Sequence, residues 1–197
     1  MIGNALSHYL KVLFGIEQAV TQTSKAEQLV LQKYCKDAQT AVEIGVFEGV
    51  NTVLIAANMR ADGILYGIDP FFKGRFGVCY SKLTTVRSLK ASHQLYKVRL
   101  IEKLSFDAVA DVPDEIDFIF IDGDHSIEGI RKDWDDWSKK IRKGGIIALH
   151  DTAVPVFDPS RSTLGSVKYF GEVIKYDQRF EIVEKTDSLH ILRRKHS

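Results

Sequence analysis

Short apolar runs and helical stripes alternate along this chain, and the alternation predicts a mostly parallel sheet with helices on both faces. Strand-like runs lie at 40–46, 63–69, 98–104, 116–122 and 146–149. The run over 116–122 is almost wholly apolar, as a strand covered on both faces should be. Helical patterns are expected at 50–60, at 82–92 and, briefly, at 105–110. Ile127, Ile130, Trp134, Trp137 and Ile141 repeat at helical spacing, with Asp133, Asp135, Asp136, Lys139 and Lys140 outside that stripe. Both tryptophans are therefore expected in the core. Gly144-Gly145 reads as the stop of that helix.

Ser24 and Glu27 form a capping box, and Ala26, Leu29, Val30, Lys33 and Tyr34 give the helix behind it one face. Residues 1–22 read as a further helix of looser periodicity. A helix is expected near 164–176. The runs 180–184 and 189–193 flank Lys185-Thr186-Asp187-Ser188 and predict a closing antiparallel hairpin. Residues 70–82 and 152–163 read as loops. Nothing divides the chain, so residues 1–197 are expected to form one domain, with 1–38 as a helical segment packed on the sheet.

Composition narrows the function classes. At 197 residues, 45% apolar and 27% charged, the chain can fill one core. Lys and Arg number 27 against 26 Asp and Glu, so the basic field of a nucleic-acid binder is missing. Cys35 and Cys79 fit no CxxC pattern, which argues against a zinc site and for a reducing compartment. No signal peptide or membrane span is expected, and a cytoplasmic setting follows.

The chemistry starts at Glu43-Ile44-Gly45-Val46-Phe47-Glu48-Gly49, which leaves a strand and opens a helix. Gly67-Ile68-Asp69-Pro70 closes the next strand. Glycines let backbone approach a nucleoside closely, and the second acid can take two ribose hydroxyls. A dinucleotide fold would place a glycine where Phe47 stands, and Glu43 would repel a pyrophosphate. A cationic, phosphate-free ligand such as S-adenosylmethionine suits these residues better. The plainer alternative is that Gly45 and Gly49 only make a tight turn and that Asp69 only ends a strand.

With Phe120-Ile121-Asp122-Gly123-Asp124-His125-Ser126 and Gly144-Gly145-Ile146-Ile147-Ala148-Leu149-His150-Asp151, the chain resembles the class I S-adenosylmethionine-dependent methyltransferases. Within them it is similar to methyltransferase family 24, a small-molecule O-methyltransferase group. The resemblance spans about 40–152. It implies an α/β, Rossmann-like, doubly wound sheet of seven strands, mostly parallel with the last strand antiparallel. It also implies that Glu43 and Gly45 line the methionine end of the cofactor, with Phe47 and Gly49 in the same turn. Asp69 would take the ribose, backbone at Leu104, Ser105 and Phe106 would border the adenine, and Asp122 would close the site. Ser105 reads equally as an N-cap.

Asp122 and Asp151 end neighbouring strands, where two carboxylates repel unless a cation or proton intervenes. Related O-methyltransferases hold a divalent metal there, and the matching residues are Asp122, His150 and Asp151. A histidine in that set favours a transition ion over Mg2+ or leaves the metal out. The alternative is that both acids bond to loop amides. Asp124 is expected to cap the helix from Ser126. His125 has an ordinary pKa suited to a general base, with Asp122 beside it, or else it packs and caps.

The expected activity is O-methylation of a small hydroxylated acceptor such as a sugar or catechol. Acceptor choice would lie in 71–82 and 152–163, with Arg75 and Arg161 as candidate partners. The rival readings are a metal-independent N-methyltransferase or non-catalytic cofactor binder, and an NAD-dependent oxidoreductase. Homo-oligomers stay open; nucleic acid and membrane do not figure as partners.

Overall fold

The computed structural model describes residues 2–74 and 77–196. Seven strands form one sheet: β1 (Thr40–Ile44), β2 (Ile64–Ile68), β3 (Val98–Ile101), β4 (Ile116–Ile121), β5 (Ile141–Leu149), β6 (Phe180–Thr186) and β7 (Leu189–Arg194). Their order is β3-β2-β1-β4-β5-β7-β6. All pair in parallel except β7, which lies antiparallel between β5 and β6. The fold class and the closing hairpin are those expected from the sequence.

The helices are α1 (Ile2–Leu13), α2 (Lys25–Cys35), α3 (Val50–Asn58), α4 (Tyr80–Ala91), α5 (Ile127–Lys140) and α6 (Gly165–Glu172). Alternation along the strands sorts the core into two layers. Phe118 and Phe120 of β4 join Leu31, Ile55 and Leu65 on one face. Ile119 and Ile121 join Trp134, Trp137, Phe170 and Phe180 on the other. Both tryptophans are buried, as expected.

Several boundaries move. Residues 1–22 are not one helix: α1 ends at Leu13, and 14–24 cross the molecule without regular structure. The capping box is present, but α2 buries Glu27, Gln28, Val30, Leu31 and Cys35, whereas Leu29 is exposed. The stripe is rotated by one position because Glu27 is drawn inward by a partner described below. Gly144-Gly145 does not stop α5. The helix ends at Lys140, and both glycines lie within β5, where Gly144 takes φ +75° and the β4–β5 register shifts. Among the described residues, no helix is long and apolar enough to cross a membrane.

Candidate active site

Ile44 pairs with Ile68 and with Ile121, and Ile121 pairs with Leu149. The residues that follow β1, β2, β4 and β5 therefore emerge at one rim. Strand order reverses between β1 and β4, so the connections diverge and leave a crevice above them. A cavity of about 810 Å3 fills it, and its walls include Gly45, Phe47, Asp69, Leu104, Ser105 and Asp122. That is ample for a nucleoside-sized ligand.

The turn after β1 is built for close approach. Gly45 has φ +90°, and a Cβ there would lie 2.1 Å from the Asp122 carbonyl oxygen. Gly49 caps α3 in the left-handed region and lies against Thr85 of α4. Phe47, also at positive φ, is half-exposed at the cavity wall. Asp69 holds this turn from β2: Oδ2 accepts the N–H groups of Val46 (3.1 Å) and Phe47 (2.9 Å), and Oδ1 that of Phe71 (2.7 Å). Oδ2 thus has both lone pairs engaged, and Oδ1 keeps one for a further donor.

Glu43 does not line the cavity. Val42 and Ile44 face the α5 side of the sheet, so alternation turns Glu43 to the α3 side, where it is fully buried. Neither carboxyl oxygen has a hydrogen-bond partner. Burial, with Asp122 and Asp69 nearby, pushes its pKa well above the ordinary carboxylate range, opposed only by Thr52. Glu43 therefore lies buried beneath the turn, whereas the sequence reading put it at the methionine end of the cofactor.

His150 is likewise withdrawn. Its side chain has no exposed surface, Nδ1 lies 2.8 Å from Asp122 Oδ1, and Nε2 lies 3.3 Å from Glu27 Oε2. Burial alone would lower its pKa, but the hydrogen bonds to Asp122 and Glu27 win and raise it to about 9. Glu27 Oε1 in turn accepts the Ser188 N–H (2.9 Å) and hydroxyl (2.7 Å). Burial works to raise the Glu27 pKa, yet these partners hold it at about 2. With both ring nitrogens facing carboxylates, His150 stands outside the trio that converges, whereas the sequence reading had put it among the metal ligands.

The trio that does converge is Asp122, His125 and Asp151, whose offered atoms lie within 4.8 Å of one another. His125 Nε2 is 3.5 Å from Asp151 Oδ2 and 3.9 Å from Asp122 Oδ1. Burial lowers the His125 pKa against the pull of Asp122, so its ring is neutral at pH 7. Asp151 is buried at positive φ and carries the Arg161 guanidinium on Oδ1. Arg161 also donates to Asp158 Oδ2 (3.1 Å) and Ser188 Oγ (3.3 Å). Arg161 is thus placed among acids, while Arg75 lies outside the described residues. The cap of α5 is Ser126, whose Oγ accepts the Gly129 N–H at 3.0 Å, and not Asp124 as expected; Asp124 instead accepts the Ser126 N–H at 2.9 Å.

Two further features come into view only in three dimensions. Residues 20–22 form part of the cavity wall, held by Glu48, whose Oε2 accepts the Val20 N–H (2.7 Å) and meets His8 Nε2 (3.1 Å). Asp133 is buried, not exposed. It lines the cavity, accepts the Ser105 hydroxyl, and is pushed up to about 6 by burial. Its spacing did carry the signal: three residues after Ile130 and four before Trp137, it shares their helical face.

A methyltransferase-domain family model matches residues 42–152, more than half of the chain. An uncharacterized protein of Acanthamoeba polyphaga mimivirus is 32% identical over 117 residues, 59% of this chain and 52% of its own length. The chain thus spans about half the length of that curated relative. Cofactor-bound Rv0187 from MTB is 14% identical, with a TM-score of 0.70 over 98% of this chain and 91% of its own. The O-methyltransferase TomG from Streptomyces achromogenes, involved in tomaymycin synthesis and in complex with SAM, is 16% identical, with a TM-score of 0.67 over 97% and 89%. At such identities the likeness is one of fold.

Proposed function

The chain belongs to the methyltransferase-domain family, and from that premise we propose that it moves a methyl group from S-adenosylmethionine to an oxygen of a small hydroxylated acceptor. Residues 1–197 are taken as one such domain. The observation that carries the reading is that one cavity touches the glycine turn, Asp69, Leu104-Ser105 and the Asp122–His125 turn together. An extended nucleoside amino acid spans that set: adenine at Leu104 and Ser105, ribose hydroxyls on Asp69, the methionine end past Gly45.

The methyl group would then lie toward Asp122 and His125. An alcohol or phenol approaching there is a poor nucleophile until its proton leaves. His125 Nε2, neutral at pH 7, takes that proton as the oxygen attacks the methyl carbon in line. The carbon–sulfur bond breaks, its electrons stay on sulfur, and neutral S-adenosylhomocysteine remains. Most of the acceleration would come from alignment of oxygen, carbon and sulfur.

A divalent metal fits poorly at Asp122, His125 and Asp151. Asp122 already faces the His150 imidazolium and Asp151 the Arg161 guanidinium. A doubly and a singly charged cation about 5 Å apart repel by roughly 6 kcal/mol at an effective dielectric near 20. No step above passes through a metal.

The test is calorimetry with S-adenosylhomocysteine on the full chain, then mass spectrometry of sugars and catechols incubated with S-adenosylmethionine. Binding in the micromolar range that weakens at least tenfold in Asp69→Ala, with a gain of one methyl on an acceptor, supports the reading. Absence of binding at millimolar S-adenosylhomocysteine rejects it.

A further inference from the structure

Two acids that end neighbouring strands need a cation, and the rim holds one of its own. Arg161 stands in the 3-10 turn Pro159–Thr163, within the loop after β5. Its side chain is mostly buried, at 17% exposure, and Asp151 is at 4%. Nη1 donates to Asp151 Oδ1 and Ser188 Oγ, and Nε to Asp158 Oδ2. Ser188 also donates to Glu27, which ties the guanidinium to the chain of contacts ending at Asp122. These bonds use Nη1 and Nε; among the described residues they leave Nη2 as a donor for a bound oxygen. An arginine keeps its charge at any pH of interest, so the compensation is permanent.

We infer that Arg161 is the resident cation of Asp151: its guanidinium already rests on one of the two acids at which the family resemblance puts a divalent metal, while Asp122 is held by His150. The inference rests on the transferase reading for its purpose, since Arg161 would hold the charge of the carboxylate that stands 3.5 Å from the His125 base. Its geometry stands apart from that reading. His150 cannot complete a metal shell, because both ring nitrogens already meet carboxylates. The chain would accordingly hold and activate its acceptor without a metal ion.

The experiment reads Mn2+ binding to the full chain by electron paramagnetic resonance, with and without S-adenosylhomocysteine. The wild-type protein is expected to leave Mn2+ free up to 1 mM, a concentration about a hundred-fold above the dissociation constant of even a weak sensor-type cation site. Arg161→Met, which keeps the stem and removes the charge, is expected to bind Mn2+ at least tenfold more tightly. Arg161→Lys should behave as wild type. Mn2+ held by the wild-type protein, or by neither it nor Arg161→Met, overturns the inference. If Arg161→Met does not fold, the wild-type measurement still decides. S-adenosylhomocysteine calorimetry on the same samples separates failure of the transferase reading, which leaves the Mn2+ outcome standing.

Discussion

His150 Nδ1 sits 2.8 Å from Asp122 Oδ1 in a contact buried on the histidine side, and this pairing sets the charge state of the rim. It works because Glu27, reaching in from α2, holds the opposite nitrogen. A buried ion pair is costly to break from one side, typically by about 3–5 kcal/mol.

Glu27→Gln should therefore lower stability by roughly 3 kcal/mol, or a melting temperature by about 6–12 °C. The pH dependence follows from sign. The His150 pKa is raised from 6.5 to about 9, so its contribution is full below 6.5 and is lost as pH rises through 9. The Glu27 pKa is lowered to about 2, so its contribution is full above 4.5 and is lost as pH falls through 2. These are one ion pair seen from two ends, and their effects do not add. The pair's contribution should be full between pH 4.5 and 6.5, and melting temperatures should fall from there toward pH 9. In Glu27→Gln the alkaline fall should flatten, and an unchanged slope would refute the pairing.

How much of this was legible beforehand depends on the range of the interaction. The strand-ending acids and the Gly45 turn were readable because each is local: periodicity, then a glycine, then an acid. The burial of Glu43 was readable in principle, since it is odd-numbered with Ala41 on a two-face strand. Glu27 was hidden because its sequence role, the capping box, is satisfied at the same time as its contact with His150, 123 residues away. A pattern that explains a residue locally conceals a second partner. Asp133 was misjudged for another reason. Its charge argued for solvent, while helical geometry put it beside Ile130 and Trp137.

Gly45→Ala separates backbone strain from collision. A left-handed backbone costs a non-glycine residue about 1–2 kcal/mol. At Gly77, with φ +71° and nothing among the described residues within 4 Å of where a Cβ would sit, alanine should cost only that. At Gly45 the same change also drives a methyl to 2.1 Å from the Asp122 carbonyl, which must move the turn. Denaturant melts should show the larger loss at Gly45, with S-adenosylhomocysteine affinity down at least tenfold there and unchanged in Gly77→Ala. Equal losses in the two variants would contradict the close approach.

His125→Ala should reduce methyl transfer by about a hundred-fold or more, as removal of a general base does, and leave S-adenosylhomocysteine affinity within about threefold. Because burial lowers the His125 pKa, the neutral form prevails at pH 7. The wild-type rate should be flat from pH 7 upward and decline on an acid limb centred below 6.5. A limb centred above 6.5, or turnover in His125→Ala within twofold of wild type, would remove His125 from the reaction.

Asp133 offers the opposite sign. Its folded pKa is raised from 3.8 to about 6, so the folded state binds the proton more tightly than the unfolded chain. Stability therefore falls as pH rises from 3.8 through 6, and above that the buried charge is a standing cost. Asn keeps an acceptor for the Ser105 hydroxyl and removes the charge. Asp133→Asn should thus gain about 1–3 kcal/mol at pH 8, a rise of some 2–12 °C in melting temperature, and little or nothing at pH 4. If the carboxylate is kept because it accepts a hydrogen bond from the adenine, the same variant should lose S-adenosylhomocysteine affinity while gaining stability. Affinity that stays level as stability rises would leave Asp133 with no part in binding. A melting temperature unchanged at pH 8 would mean that the carboxyl is hydrated in solution and not buried as the structure has it.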